Sequence, residues 1–381
     1  MVSLTKTSIA CLLAFSTFLS SNAGALESQA NLSKQLATIT NAVPIKRVAA
    51  RYPTNEARAG REGWVVLSYV IETDGEVSGI VIEDSSGSSQ FEREAIRAVE
   101  KWQFSPAIED GKPVTQCKNT VQLDFKMHNS GVGVSRKFLS LHNRFNEALN
   151  NESATSTELD KLAQSMENYE IVLGIESYYQ NVALAQYAEK QNQPEKQLYH
   201  LDRALRFSRL REFASDTELT QKQMEVKQSI ERNLFPVLHQ KLLLELETQD
   251  IANAIKTVNS LLSLEINKKH HPLYAKQQEH LEALINSDQL ISKRVNLANK
   301  DVLKHRLLRN KFMLKDIDGR LTKLDVRCQN QRHIFSVNEQ SAWQLPEHWQ
   351  ACSVLFYGEN DTTFTIVELP EGDNLVASTS K

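Results

Sequence analysis

The residues of this 381-residue chain whose types could do chemistry are four cysteines, a pair of adjacent histidines and two closely spaced tryptophans. Cys328 and Cys352 bracket one short segment, which makes them the natural disulfide candidates in an oxidising compartment. Leaving Cys11 aside, three cysteines are an odd number, so one is unpaired within the chain or pairs outside it. Cys117 lies in phase with an alternating apolar face and reads as a buried core thiol rather than a reactive one. His270 and His271 in "NKKHHP" invite a metal reading. Adjacent loop residues rarely converge on one ion, and no Cys or carboxylate stands at a supporting spacing, so the segment reads as a solvated loop. Trp343 and Trp349 flank Pro346 in "WQLPEHW". Exposed, they could hold a sugar or a peptide; a small domain has little core to spare, so burial is the preferred reading. No GxSxG, HExxH, P-loop or GxGxxG spacing occurs, and the many Glu and Lys residues fall where a solvated helix face puts them. Nothing in the sequence asks for an enzyme, a metal or a cofactor.

The elements that must position these residues fall into blocks. A hydrophobic content of 41% and a charged content of 24% are those of a globular protein, and 381 residues suggest two or three domains. The net charge of -3 argues against general nucleic-acid or anionic-membrane binding. At the N-terminus Lys6 precedes an apolar run, Ile9 to Leu19, that is too short to span a bilayer. Small residues follow, so residues 1–25 read as a secretory signal cut after Ala23 or Ala25, with Cys11 merely part of it. Export to the periplasm is the expectation, and an uncleaved inner-membrane anchor facing the periplasm is the alternative. Residues 26–43 read as a lead-in, 44–128 as a β-rich unit and 129–135 as a linker. Residues 136–315 read as helical, 318–370 as a small antiparallel β domain and 371–381 as a frayed tail. The fold class is therefore α+β.

Inside the β-rich unit, Val65, Leu67, Tyr69 and Ile71 alternate onto one face, Asp74-Gly75 marks a primed hairpin turn, and Val77, Gly79 and Val81 continue on a second strand. Ser89 and Glu92 read as a capping box opening a helix with an apolar stripe of Phe91, Ala95, Ala98, Val99 and Trp102. Val121, Leu123, Phe125 and Met127 form a third strand. Such a sheet leaves at least one strand on an edge, which an exported domain must blunt or use. In the helical region, Ala183 to Ser208 and Leu238 to Glu265 read as two hairpins offset by about 56 residues, against ~34 in a regular tetratricopeptide array. An α-solenoid-like array that binds or spaces proteins is one expectation, and a plain helical bundle is the other. Four short strands are expected at Lys323–Cys328, His333–Val337, Cys352–Gly358 and Thr362–Leu369.

The order and spacing of "RYP", "REGWVVLSYVIETDGEV", "EDSSG", "FEREAIRAVEKWQFSPA", "GKPV" and "VQLDF" across residues 51–125 resembles the TonB C-terminal domain family. The resemblance covers less than a quarter of the chain. It implies a periplasmic docking module that receives a protein or peptide strand, the TonB box of a TonB-dependent outer-membrane receptor, by β-augmentation. Carried over position by position, the accepting edge is Thr120, Val121, Gln122, Leu123, Asp124, Phe125, Lys126 and Met127. Tyr52 and Pro53 precede the first helix, where helix entry outweighs direct contact as their role. An ExbB/ExbD-type motor enters only if the N-terminal anchor is retained. The family's long Pro/Lys-rich spacer is missing, and about 250 residues follow a domain that usually stands last. A cell-envelope scaffold or peptidoglycan-associated structural protein is the alternative reading.

Overall fold

The structure is a computed structural model that describes residues 40–127, 133–206, 219–297, 302–337 and 342–370. The expected signal peptide, most of the lead-in and of the linker, and the C-terminal tail lie outside the described residues. No described helix is long and apolar enough to cross a membrane.

The first block contains β1 (Val43–Lys46), α1 (Thr54–Ala59), β2 (Gly63–Ile71), β3 (Val77–Ser85), α2 (Ser89–Val99), β4 (Gln103–Ser105), β5 (Ala107–Glu109), β6 (Lys112–Val114) and β7 (Gln116–Phe125). Strands β3, β2 and β7 form a three-stranded antiparallel sheet with β2 in the middle. Val65, Leu67, Tyr69 and Ile71 share a core with Phe91, Ala95 and Val99 of α2, as their alternation predicts. The described end of the lead-in, residues 40–43, is tied to the domain: Thr40 exchanges backbone hydrogen bonds with Ile108, and β1 pairs with β4.

Three local readings need correction. The β2–β3 turn is a three-residue loop: Gly75 N donates to Glu72 O and only Gly75 is left-handed, at φ 84°. In β3, Gly79 at φ 55° marks a bulge, since Ser68 pairs with Val81 but Val70 with Ser78. The extra residue flips the phase, so Ile80 and Ile82 rather than Gly79 and Val81 pack toward the helix side. The α2 cap is Ser88, whose Oγ accepts from Phe91 N at 3.4 Å, one residue before the expected position. Glu92 accepts from Ser85 Oγ instead of closing a capping box.

Helices follow in sequence: α3 (Arg136–Asn150), α4 (Ser156–Glu167), α5 (Gly174–Lys190), α6 (Pro194–Arg206), α7 (Gln221–Glu247), α8 (Ile251–Leu262) and α9 (His271–Ile285). Each packs on the next within the runs α3–α7 and α7–α9. The turns at Asn192 and Gln249 both take positive φ, 52° and 57°, between the paired helices. His270 and His271 are not in a loop but at the junction of a 3-10 turn (Glu265–His270) with α9. His271 Nε2 lies 3.0 Å from Leu264 O, and among the described residues no group of His, Cys, Asp and Glu could hold a metal.

The helical region ends at Ile285, thirty residues before the expected boundary at 315, and strands begin at Ile291. They are β8 (Ile291–Asn296), β9 (Val302–Arg306), β10 (Lys311–Asp318), β11 (Leu321–Arg327), β12 (Arg332–Ser336), β13 (Ala342–Gln344), β14 (Ser353–Gly358) and β15 (Thr363–Glu368). The small β domain is thus larger than its expected span of 318–370. It consists of two four-stranded antiparallel sheets, ordered β13-β10-β15-β8 and β12-β11-β14-β9. Phe312, Leu314, Phe364 and Ile366 of one sheet share a core with Leu324, Val326, Val354 and Phe356 of the other, which makes the unit a β-sandwich. Cys328 and Cys352 are joined as a disulfide within this core, across 24 residues. Trp343 is buried against Phe312, with ring centroids 5.2 Å apart, and Trp349 packs half-buried at the edge of the core.

Buried polar groups tie the blocks together. Glu62 accepts from Gly174 N and Met127 N, both at 2.9 Å. Glu176, fully buried, accepts from Ser135, Val172 and Leu173 amides. At the other end, Arg309 spreads its guanidinium over the carbonyls of Leu284, Ile285, Ser287 and Gln289, at 2.6–2.9 Å. These carbonyls belong to the last turn of α9 and to the turn that follows it. The amides of Leu308 and Arg309 both donate to Glu368 Oε2 at 2.7 Å, and His305 Nε2 meets Glu368 Oε1 at 3.0 Å.

Candidate functional site

The sequence points to the third strand of the first sheet, and β7 is an edge of that sheet. Val121, Leu123 and Phe125 turn toward the α2 core, while Thr120, Gln122 and Asp124 belong to the other face. Lys126 and Met127 lie beyond the strand. The Lys126 ammonium stands 3.7 Å from Asp124, and the Met127 amide is held by Glu62. Phe125 is buried, stacked on Phe91 at 4.4 Å and met edge-on by Tyr52 at 5.9 Å. The Tyr52 hydroxyl donates to Arg61 O at 2.5 Å. Burial, then the nearby Glu62 and Glu56 carboxylates, push its pKa up to about 12. Pro53 is buried at the N-cap of α1, with φ -64°. Tyr52 and Pro53 are therefore built into the domain's own packing, beneath the end of β7 rather than along its open side.

Among the described residues β7 forms a ladder with β2 only, and its one further backbone bond runs from Cys117 N to Gln329 O at 3.0 Å. The strand thus has two halves. Its first residues are covered by the β11–β12 turn of the sandwich. Cys117 is buried there, and its pKa is pushed up to about 12 by burial and then by the Glu72 charge. Cys117 does not join the α2-side core: the β2–β7 register slips between Tyr69 and Ile71, which alters the phase its position suggested. From Val121 to Phe125 the outer backbone carries no hydrogen bond to another described segment.

The second face of the sheet is covered, which the sequence reading did not foresee. All nine residues of β2 are buried, including Trp64, Val66, Ser68 and Val70, which point away from α2. Asp84, Val66 and Gln122 form one cross-strand row. Helix α6 lies against it: Arg203 Nη1 meets Asp84 Oδ1 at 3.0 Å, and Gln122 Nε2 donates to Arg206 O at 2.9 Å. The Arg203 guanidinium also sits 5.2 Å from the Trp64 ring centroid. In the next row Lys304 of β9 reaches Thr120 Oγ1 at 3.1 Å and pairs with Glu83. The available signal was the unbroken apolar run "GWVV", which is the pattern of a strand buried on both faces rather than on one.

Residues 48–127 match the family described as the Gram-negative bacterial TonB protein C-terminal. That segment is a TonB C-terminal-type domain. Protein TonB of Pseudomonas aeruginosa is 33% identical over 73 residues, 19% of this chain and 21% of that protein. Protein tonB2 of the same organism is 33% identical over 88 residues, 23% of this chain and 32% of that protein. Protein TonB of Vibrio cholerae is 34% identical over 68 residues, covering 18% and 28%. The chain therefore spans between a fifth and a third of the length of these curated relatives. Among solved structures, the solution structure of the Pseudomonas aeruginosa TonB C-terminal domain is 29% identical. It covers 24% of this chain and 92% of its own, with a TM-score of 0.23. The TonB2 structure from Vibrio anguillarum is 31% identical and covers 32% of this chain and all of its own, with a TM-score of 0.20.

Proposed function

We propose that residues 48–127 act in the cell envelope as a docking module for an extended peptide of the TonB-box type, presented by an outer-membrane receptor in TonB-dependent transport. The observation that carries this reading is the outer backbone of Val121–Phe125, which no other described segment occupies. A peptide laid there adds a strand: its backbone supplies the hydrogen bonds, and its alternate side chains meet the two faces of β7. The covered first half limits the docked segment to a short stretch. Coupling to an ExbB/ExbD-type motor requires an anchor in the N-terminal region, which lies outside the described residues.

The test is a titration of the full chain with a synthetic TonB-box peptide, followed by backbone amide NMR. Shifts concentrated on Val121–Phe125 are expected; saturating binding that leaves those amides unmoved overturns the docking edge. A second reading, an envelope scaffold with no energy-transducing role, is favoured by the burial of both faces of β2, which binds the domain into its own chain. Retention on isolated cell wall with no peptide binding selects that reading.

A further inference from the structure

Where α5 ends, α6 begins and α7 passes beside them, the surface folds into a cavity of about 290 Å³. Its α7 wall is Gln240, Leu243 and Glu247, which share one helix face at spacings of three and four. Glu189 from the last turn of α5 and Gln197 from the first turn of α6 also line it. Gln240 Nε2 donates to Glu189 Oε2 at 3.0 Å, which ties the α7 wall to the end of α5. Leu243 is left 54% exposed, an apolar shelf at a polar mouth. Gln197 is only 4% exposed, yet its side-chain amide bonds to no described residue. A buried amide without a partner costs free energy, and the cavity it lines is where a partner can reach it.

The lining selects for positive charge. It contains no Lys, Arg or His, and among the described residues neither Glu189 nor Glu247 has a cationic partner. Lys190, next to Glu189 in sequence, turns its ammonium to Leu149 O at 2.5 Å instead. Two helices, α5 and α7, end at the cavity while only α6 starts there, so the balance of helix-end charge is negative. Each carboxylate therefore stands near a helix end that disfavours it, and a cation relieves both. Glu189 already accepts from Gln240, whereas the Glu247 oxygens bond to no described residue. A guanidinium presents five donors in a planar fork that one carboxylate matches, with donors left over for the Gln197 carbonyl; an ammonium offers three around a point. The aliphatic stem behind such a head lies on apolar surface, which Leu243 provides. The cavity is small for a cofactor and its rim is exposed, so it suits one side chain of a longer partner.

We propose that this cavity takes an arginine side chain of an extended partner peptide, its guanidinium on Glu247 and Gln197 and its stem along Leu243. The site lies in the helical region, does not rest on the docking edge, and stands or falls separately from it. The full chain is titrated calorimetrically with a short capped alanine peptide carrying a central arginine, and with counterparts that carry lysine or citrulline there. The three share one backbone, so any strand addition at β7 is the same for all of them. Saturable binding of the arginine peptide is expected, with the lysine peptide several-fold weaker and the citrulline peptide, which keeps the shape without the charge, weaker still. Glu247→Gln weakens the arginine peptide by about tenfold, as loss of a charge-assisted contact demands. Gln197→Met keeps the bulk and removes the amide; it weakens binding while leaving the unfolding midpoint unchanged or raised, because the free chain holds that amide unpaired. A purely structural glutamine gives the reverse. Glu279→Gln on α9 leaves binding unchanged. Absence of saturable binding overturns the proposal, as does equal binding of the arginine peptide and either counterpart, or native-like binding by the Glu247→Gln variant.

Discussion

The two β regions solve the same problem differently. The C-terminal sandwich covers its apolar faces with each other, and a disulfide staples β11 to β14 inside that core. The N-terminal sheet has one helix for one face and takes the cover of its other face from α6 and β9. A sheet that could in principle stand by itself is here completed by residues 84 to 184 positions away. The lesson is that its burial cannot be judged from its own eighty residues.

Three perturbations sharpen the contrast. Trp64→Ala and Phe356→Ala remove fully buried rings from the borrowed and the self-made face, and each is expected to cost about 3–5 kcal/mol in chemical unfolding. A Trp64→Ala cost below about 1 kcal/mol would show that the second face is not sealed. Cys328→Ser, or reduction, is expected to cost roughly 3.5 kcal/mol for a loop of this length, with Cys117→Ser showing no such loss of a crosslink. In a protein that unfolds in steps, the loss is confined to the transition of the sandwich. The third concerns pH. Burial, then the charges of Arg203 and Lys196, lower the His200 pKa to about 4. The unfolded imidazole titrates near 6.5. A depressed folded value means the stabilisation is complete above about pH 6.5 and is lost progressively as pH falls from there through about 4, roughly 3 kcal/mol in all. His200→Gln should flatten the stability profile over that window. Because His200 sits on α6 beside Arg203, acid should loosen the N-terminal sheet's cover before it affects the sandwich, which is readable by hydrogen exchange at β2 and β14.

Much of this architecture is legible from local pattern. The alternation of β2, the apolar stripe of α2, the turns between the helix pairs and the Cys328–Cys352 pairing all follow from residues close in sequence. The strands β8, β9 and β10 escaped because "ISKRVN", "VLKHR" and "KFMLKDID" interleave apolar residues with Lys, Arg and Asp, and the charged residues look like a helix's solvated face. The Gly79 bulge escaped because a single inserted residue changes the phase without changing composition. Of the candidate site, β7 was visible as a strand in its alternation, and its edge position came from the family resemblance. The covering of its first half by Gln329, and the Lys304 contact at Thr120, were not, since each joins residues about two hundred positions apart.

The Arg309 fork has a mechanical consequence. A planar group seated on the open end of α9 leaves little freedom for a hinge between that helix and the sandwich. Since α9 packs on α8, a motion of the sandwich is passed through this joint to the helix pair, and Arg309→Lys, a change that keeps the charge, would slacken it.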